Sequence, residues 1–260
     1  MGLKSRLDWR RRRRPRESVY FLTLHKCASS LFGGYVLKKA EGLRHVDYSS
    51  RIYRGEHVDE VSFEDTGCIY GPIRLSANVS WPTFQRVARP VSEIGFLRGR
   101  IAIFMVRDPR DILVSAYHSF GFTHGFSPVE QIRESEQKQR SRIRSMSVDE
   151  YALESAPGTA SHFESIDRLS RACPRSVVLR YEDMIDDWDR FVRDLTRYVE
   201  IRKRVQARIY QESRPREMED EASHRRSGQP GGFRRKLRGD TVASLNHTFA
   251  AVLERFGYAA

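Results

Sequence analysis

Lys26 and Arg107 each stand close behind a short apolar run, and that placement is the first chemical signal in this chain. Val19-Tyr20-Phe21-Leu22-Thr23-Leu24 runs into His25-Lys26-Cys27-Ala28-Ser29-Ser30, and Ile101-Ala102-Ile103-Phe104-Met105-Val106 runs into Arg107-Asp108-Pro109-Arg110-Asp111. Each run is rich in β-branched and aromatic residues, the pattern of a fully buried strand. Each gives way to a cation with small or acidic neighbours, and then to a helix-like stretch. In open α/β sheets, ligands sit at the carboxyl ends of strands, where helix N-termini offer unpaired N–H groups to anions. Two cationic strand ends on one sheet suit one ligand with two separate anionic groups.

Pattern also indicates the elements that must hold these groups. Residues 1–17 are too charged to bury a core and read as a disordered basic tail, which leaves 18–260 as one domain. Ser30 to Ala40 carries apolar residues at helical spacing, with Gly33-Gly34 allowing close packing. Arg44 to Tyr48 and Cys68 to Tyr70 are short strand candidates; Ser76 to Leu97 reads as irregular, broken at Trp81-Pro82 and Arg89-Pro90. Asp108-Pro109 is a strong helix start, a capping acid followed by a proline at the first helical position. That helix is expected to reach Phe120. Residues 121–150, rich in Gln, Ser and Arg, read as an exposed segment able to cover a site. Ser176 to Leu179 is a further buried strand ending in Arg180-Tyr181-Glu182-Asp183, and Phe191 to Tyr198 and Thr241 to Phe256 read as helices. Strands alternating with helices predict an α/β fold, a single domain with a central, mostly parallel sheet flanked by helices.

Charge and cysteine usage narrow the class. The 260 residues are 39% hydrophobic and 31% charged with a formal net charge of +12, the profile of a soluble globular protein. No apolar run reaches the roughly 18 residues of a membrane-spanning helix. Cys27, Cys68 and Cys173 are odd in number and widely spaced, which fits reduced thiols in a cytoplasmic protein and no metal site. The positive charge is uneven. Arg10 to Arg14 form an unbroken run that reads as a solvated arm, with peripheral contact to an anionic membrane as its other use. Arg226-Ser227-Gly228-Gln229-Pro230-Gly231-Gly232-Phe233 is basic and glycine-rich, suited to wrapping phosphate with backbone and guanidinium donors.

Together these segments resemble the sulfotransferase family, whose members take 3′-phosphoadenosine 5′-phosphosulfate (PAPS) as sulfuryl donor and release 3′-phosphoadenosine 5′-phosphate (PAP). His25-Lys26-Cys27-Ala28-Ser29-Ser30-Leu31 stands where the family has its Pro-Lys-Ser-Gly-Thr-Thr-Trp-like loop. Arg107, Pro109, Asp111, Ser115 and Tyr117 match Arg-x-Pro-x-Asp-x-x-x-Ser-x-Tyr throughout. Tyr181-Glu182-Asp183 matches a third element, and residues 226–233 resemble the late Arg-Lys-Gly-x-x-Gly-x-Trp motif, with Ser227 where Lys is usual and Leu31 where a Trp often stacks on adenine. The likeness spans Val19 to Tyr258.

The resemblance implies a P-loop-NTPase-like sulfotransferase fold and a division of labour. Lys26, Cys27, Ala28, Ser29, Ser30 and Leu31 would cradle the 5′-phosphosulfate, with the Lys26 ammonium on the bridging oxygen. Arg107, Ser115, Arg226, Ser227 and Gly228 would hold the 3′-phosphate, and Tyr181 would lie near the adenine. Asp111 reads as an anchor rather than a catalyst. Many members draw a catalytic base from a Thr-His-x-Pro-like stretch; the comparable Ile69 to Leu75 has no His. Carbohydrate-modifying relatives use an acidic residue after the first helix, which points to Asp47 or His45, with His57 as a third choice. His118 is expected to pack nearby. The acceptor would be a hydroxyl or amine of a small molecule, lipid or carbohydrate, chosen by residues 49–66, 76–98 and 121–160. Two other classes fit less well. Against a P-loop kinase, this sequence has no Gly-x-x-x-x-Gly-Lys-Ser/Thr at 20–30 and no Asp ending a central strand to hold Mg²⁺. Against a basic RNA- or membrane-binding protein, it shows no aromatic–basic interleaving of an RNA-binding sheet.

Overall fold

The buried runs pair into one sheet of five parallel strands. The computed structural model describes residues 16–75, 82–215 and 228–260. The Arg10–Arg14 tail and two of the residues expected to bind phosphate, Arg226 and Ser227, lie outside the described residues. Strand β1 (Val19–Thr23) is central, and β2 (Arg44–Val46), β3 (Cys68–Arg74), β4 (Ile101–Val106) and β5 (Ser176–Arg180) complete the order β2-β3-β1-β4-β5. β1 and β4 are buried along their whole length, so neither sequence shows polar alternation. Successive β1 residues face opposite layers: Tyr20 stacks on Tyr70 with ring centroids 5.2 Å apart, and Phe21 on Phe32 at 4.5 Å. The chain leaves β1 toward β2 and leaves β4 toward β5. The crevice between the carboxyl ends of β1 and β4 is therefore the switch point where such sheets take ligands.

Helices cover both faces. α1 (Ser29–Leu31) opens a helical segment that continues as a π-turn (Phe32–Val36) and a 3₁₀ turn (Leu37–Lys39). Gly33 lets it lie close to β3, since a Cβ there would stand 2.7 Å from Pro72 Cδ. After α2 (Tyr48–Tyr53), the segment expected to be irregular holds α3 (Pro82–Val91) and α4 (Ile94–Leu97). Pro82 opens α3, where its missing N–H costs nothing, and Pro90 sits in the last turn. α5 (Pro109–His118) begins at the expected cap and runs into a π-turn (Ser119–Thr123).

The stretch read as an exposed cover is instead the π-turn, α6 (Glu130–Arg144) and the start of α7 (Val148–Ala172). Only Ile132 and Ile143 of α6 are buried, too few to mark a helix by apolar spacing. α8 (Tyr181–Asp186) follows β5 directly, and α9 (Trp188–Thr196) and α10 (Lys203–Ser213) follow it. A short α11 (Phe233–Lys236) precedes the expected final helix, which divides at buried Phe249 into α12 (Gly239–Thr248) and α13 (Ala250–Phe256). Among the described residues no helix is long and apolar enough to cross a membrane.

The β4–α5 corner is tied to the C-terminal helices by a buried charge. Arg110 is 0% exposed and donates two bonds to Asp108, at 3.0 and 2.7 Å, and others to Asn246 Oδ1 and the Ala259 carbonyl, both at 2.6 Å. Its guanidinium lies 4.2 Å from the centre of the Phe233 ring. Removing one partner of a buried pair strands the other. Arg110→Ala is expected to lose about 3 kcal/mol or more in denaturant unfolding, while Arg142→Ala, at an exposed pair with Glu154, should change by less than about 0.5 kcal/mol. Equal midpoints for the two variants would remove the corner from the stability argument.

Candidate active site

The loop after β1 is bent by two non-glycine residues in the left-handed region, Lys26 at φ 67° and Ala28 at φ 57°. Such backbone turns successive N–H groups toward one side, the concavity that receives anions. Side chains sort by the same bend. His25, Lys26, Ala28, Ser29, Ser30 and Leu31 line a cavity of ≈ 840 Å³. Cys27 points into the core, with Sγ 3.7 Å from the His25 carbonyl, and burial pushes its thiol up to about 12. Any part Cys27 plays in binding is therefore a backbone one.

Arg107, Ser115, Tyr181 and Gly228 line the same cavity. The Arg107 guanidinium lies 4.3 Å from the centre of the Tyr181 ring and donates to the Lys26 carbonyl at 3.3 Å. Its buried Nε meets no acceptor among the described residues. Burial opposes this charge, but Asp111, Tyr181 and Glu182 outweigh it and raise the pKa. Asp111 takes the anchoring work expected of it: one oxygen accepts from Gly231 N at 2.7 Å, the other from Phe233 N at 3.0 Å. Tyr181 Oη donates to the Gly228 carbonyl at 2.6 Å. The glycine-rich segment is thus laced to α5 and α8, with its described residues beside Arg107.

A third strand end brings a cation that the sequence reading passed over. β3 continues beyond Tyr70 to Arg74, which pairs in register with Thr23 of β1 and donates to Ser29 Oγ at 3.4 Å. Arg107 and Arg74 therefore flank the loop from the two strands beside β1. Burial first, then Arg107 and Arg74, bring the Lys26 ammonium down to about 8. Cys68 to Tyr70 was the expected strand, because Gly71-Pro72 reads as a turn.

None of the three expected bases reaches the cavity wall, although Asp47 stands near enough to favour the charge of Arg74. Asp47 caps α2: Oδ1 accepts from Ser50 N at 2.8 Å and Oδ2 from Ser50 Oγ at 2.6 Å. His45 Nε2 is 2.7 Å from the Gly71 carbonyl, and His57 is an exposed partner of Asp59. None of the three lines the cavity, whereas His25, His118, His124 and His162 do. Burial holds His25 well below the ordinary histidine value, helped by Arg74 and Lys26. The Phe120 ring gathers the central groups, with His25 at 5.7 Å, His124 at 5.8 Å and Lys26 Nζ at 5.9 Å from its centre. Only adjacency to Lys26 in the sequence could have singled out His25.

The far wall comes from α2, α3, the π-turn and α6, through Tyr53, Phe84, Phe120, Phe126, Ile132 and Glu136. Tyr53 Oη lies 2.8 Å from Glu136 Oε1 and 3.0 Å from the Gly125 carbonyl, and Ser127 N donates to Glu136 Oε2 at 2.8 Å. These bonds fix the wall opposite the cationic end.

Sheet order, bent loop and converging cations define an α/β protein with a cationic cavity at the switch point of its sheet. A sulfotransferase domain model matches residues 100–257, more than half of the chain, and the chain belongs to that family. No curated protein matches it. Among solved structures, mouse sulfotransferase SULT7A1 complexed with PAP is similar in fold, with a TM-score of 0.56 at 12% identity over 91% of this chain and 84% of that one. Membership of this family sets aside the kinase alternative.

One buried carboxyl behind Arg107 ties folding stability to pH. Glu182 accepts from Asp108 N at 2.9 Å, its Oε2 meets no partner among the described residues, and burial pushes it up to about 7. A carboxyl that binds its proton more tightly when folded supports folding below its unfolded value and loses that support as pH rises toward 7. Glu182→Gln is expected to flatten the fall in Tm between about pH 5 and pH 8. Parallel wild-type and variant curves would show that Glu182 does not carry the slope.

Proposed function

We propose that this chain transfers a sulfuryl group from PAPS to a hydroxyl or amine, and that residues 18–260 act as the sulfotransferase domain with 1–17 as a basic tail. The observation that carries the reading is the gathering of Lys26, Arg74 and Arg107 around one bent loop. Three cations held that close repel one another, and a donor with separated anionic groups offsets the repulsion. The orphaned Arg107 Nε supports an anion as its partner. Cysteines that are all free and buried support a cytoplasmic setting.

The roles follow from position. The bent loop of residues 26–31 cradles the 5′-phosphosulfate, Cys27 through its N–H and Ser29 and Ser30 also through hydroxyls. Arg107, Ser115 and Gly228 hold the 3′-phosphate, joined by Arg226 and Ser227, which are assigned on the sequence resemblance alone, and Tyr181 supports that end beneath Arg107. In the transfer, a bond forms between the acceptor atom and sulfur as the sulfur–bridging oxygen bond breaks. The electron pair leaves with the 5′-phosphate, where Lys26 neutralises it. The acceptor's proton needs an unprotonated base on the cavity wall, and we assign it to His25 in place of Asp47 or His45. His25 is uncharged at neutral pH and adjoins Lys26 on the cavity wall. Bound donor adds negative charge beside it and so favours protonation as the reaction proceeds.

PAP is expected to bind at least about tenfold tighter than AMP, because loss of one charge-assisted cluster exceeds about 1.4 kcal/mol. Equal calorimetric affinities would sink the donor assignment. The two cations should also separate kinetically. Lys26→Ala should cut turnover far more than donor binding, since its contact strengthens as charge develops on the leaving oxygen, whereas Arg107→Ala should chiefly weaken donor binding. Unchanged turnover of Lys26→Ala at saturating donor would remove Lys26 from the chemistry.

A further inference from the structure

Among the described residues, five large apolar side chains are exposed, and two of them lie on one short segment beside the cavity. Phe122 is 47% exposed and Phe126 is 38% exposed; both lie on the segment joining α5 to α6, whose neighbours Phe120, Thr123, His124 and Gly125 line the cavity. Exposed phenyl groups on a floppy loop would mean little. This segment is fastened: Arg140 donates to the carbonyls of Phe120 and His124, Arg144 to that of Gly121 at 2.8 Å, and His124 N to Ser119 O at 2.7 Å. Gly121 is seated so closely on α6 that a Cβ there would come within 2.8 Å of Ile143 Cγ2. The rigid support thus leaves both rings partly exposed, Phe122 packed on one side against Tyr117 and Phe126 reaching into the cavity on the other.

The same arginines lie against those rings. The Arg140 guanidinium is 3.9 Å from the centre of the Phe126 ring, and that of Arg144 is 5.6 Å from the centre of Phe122. Exposed Lys138, Arg142 and Arg144 add positive charge along α6, with Arg142 paired to Glu154. An apolar ring beside an exposed cation is the chemistry of a lipid interface, where the ring enters the acyl boundary and the cation meets phosphate. Behind the rim, Phe84, Phe120, Phe126 and Ile132 give the acceptor side of the cavity an apolar wall that ends at His25 and His124. That wall fits an acceptor with an apolar body and a reacting hydroxyl.

We propose that the Phe122–Phe126 rim docks on an anionic lipid bilayer, and that the acceptor is a hydroxyl-bearing amphiphile drawn from it. The proposal rests on the sulfuryl-transfer reading and narrows its acceptor to a lipid. The test is co-sedimentation of the full chain with vesicles of phosphatidylcholine, with and without phosphatidylglycerol, alongside PAP calorimetry. Wild-type protein is expected to bind the anionic vesicles. The double variant Phe122→Ser/Phe126→Ser should lose at least about tenfold in partitioning, about 1.4 kcal/mol, with PAP affinity unchanged. A milder pair, Phe122→Tyr/Phe126→Tyr, should fall between and guards against loss of folding. A variant with Arg10–Arg14 replaced by glutamine should keep most of the binding.

Three results would overturn the rim as a membrane surface: no wild-type binding, binding that survives loss of both rings but not of the arginine run, or a dimer in size-exclusion chromatography that the serine variant dissociates. The last would assign the face to a second copy of this chain. Failure of the donor reading is recognised separately, as absence of PAP binding in wild-type protein whatever the vesicles do.

Discussion

Like charges have to be forced together, and this fold forces three. Lys26, Arg74 and Arg107 descend from three adjacent parallel strands, whose registry leaves their cations little room to move apart. The cost shows in Lys26, whose ammonium is brought down to about 8 by burial and its two neighbours. A surface lysine would turn away into water. Here the loop bend, with left-handed backbone at Lys26 and Ala28, holds it at the cavity. Packing of the sheet thus supplies the energy that keeps the three cations together, and in our reading a bound anion returns some of it.

The acids at the β4–α5 corner make that arrangement durable. Asp108 caps α5 and grips buried Arg110, while Asp111 receives two backbone N–H groups of the glycine-rich segment. One motif therefore assembles three distant parts of the chain: the switch point of the sheet, the C-terminal helices and the segment that follows residue 227. Asp111 also supports the charge of Arg107 at 3.9 Å.

Legibility in the sequence followed burial. β1 and β4 announced themselves because a strand covered on both faces is a plain apolar run, and Lys26 and Arg107 came with them. Arg74 did not, because Gly71-Pro72 interrupts its strand. Gly71 adopts φ 126° and approaches the Phe21 carbonyl so closely that a Cβ would stand 2.4 Å away, which lets β3 continue past the break. α6 hid for the opposite reason: its hold on the fold comes from arginine bonds to backbone carbonyls, and polar residues leave no period. Asp47 and His45 follow the first helix closely in sequence, yet neither side chain lines the cavity. A capping bond claims one and the Gly71 carbonyl the other.

Cys27 sits within the loop that grips the phosphosulfate in our reading, yet its sulfur belongs to the core. With its thiol held up to about 12 by burial, almost none of it is thiolate near neutral pH. Peroxide and alkylating agents attack the thiolate, so the loop is chemically quiet despite carrying a cysteine at its centre. The backbone bend that presents Lys26 and Ser29 to the cavity also turns this sulfur inward, so oxidant resistance comes built into the geometry of the loop.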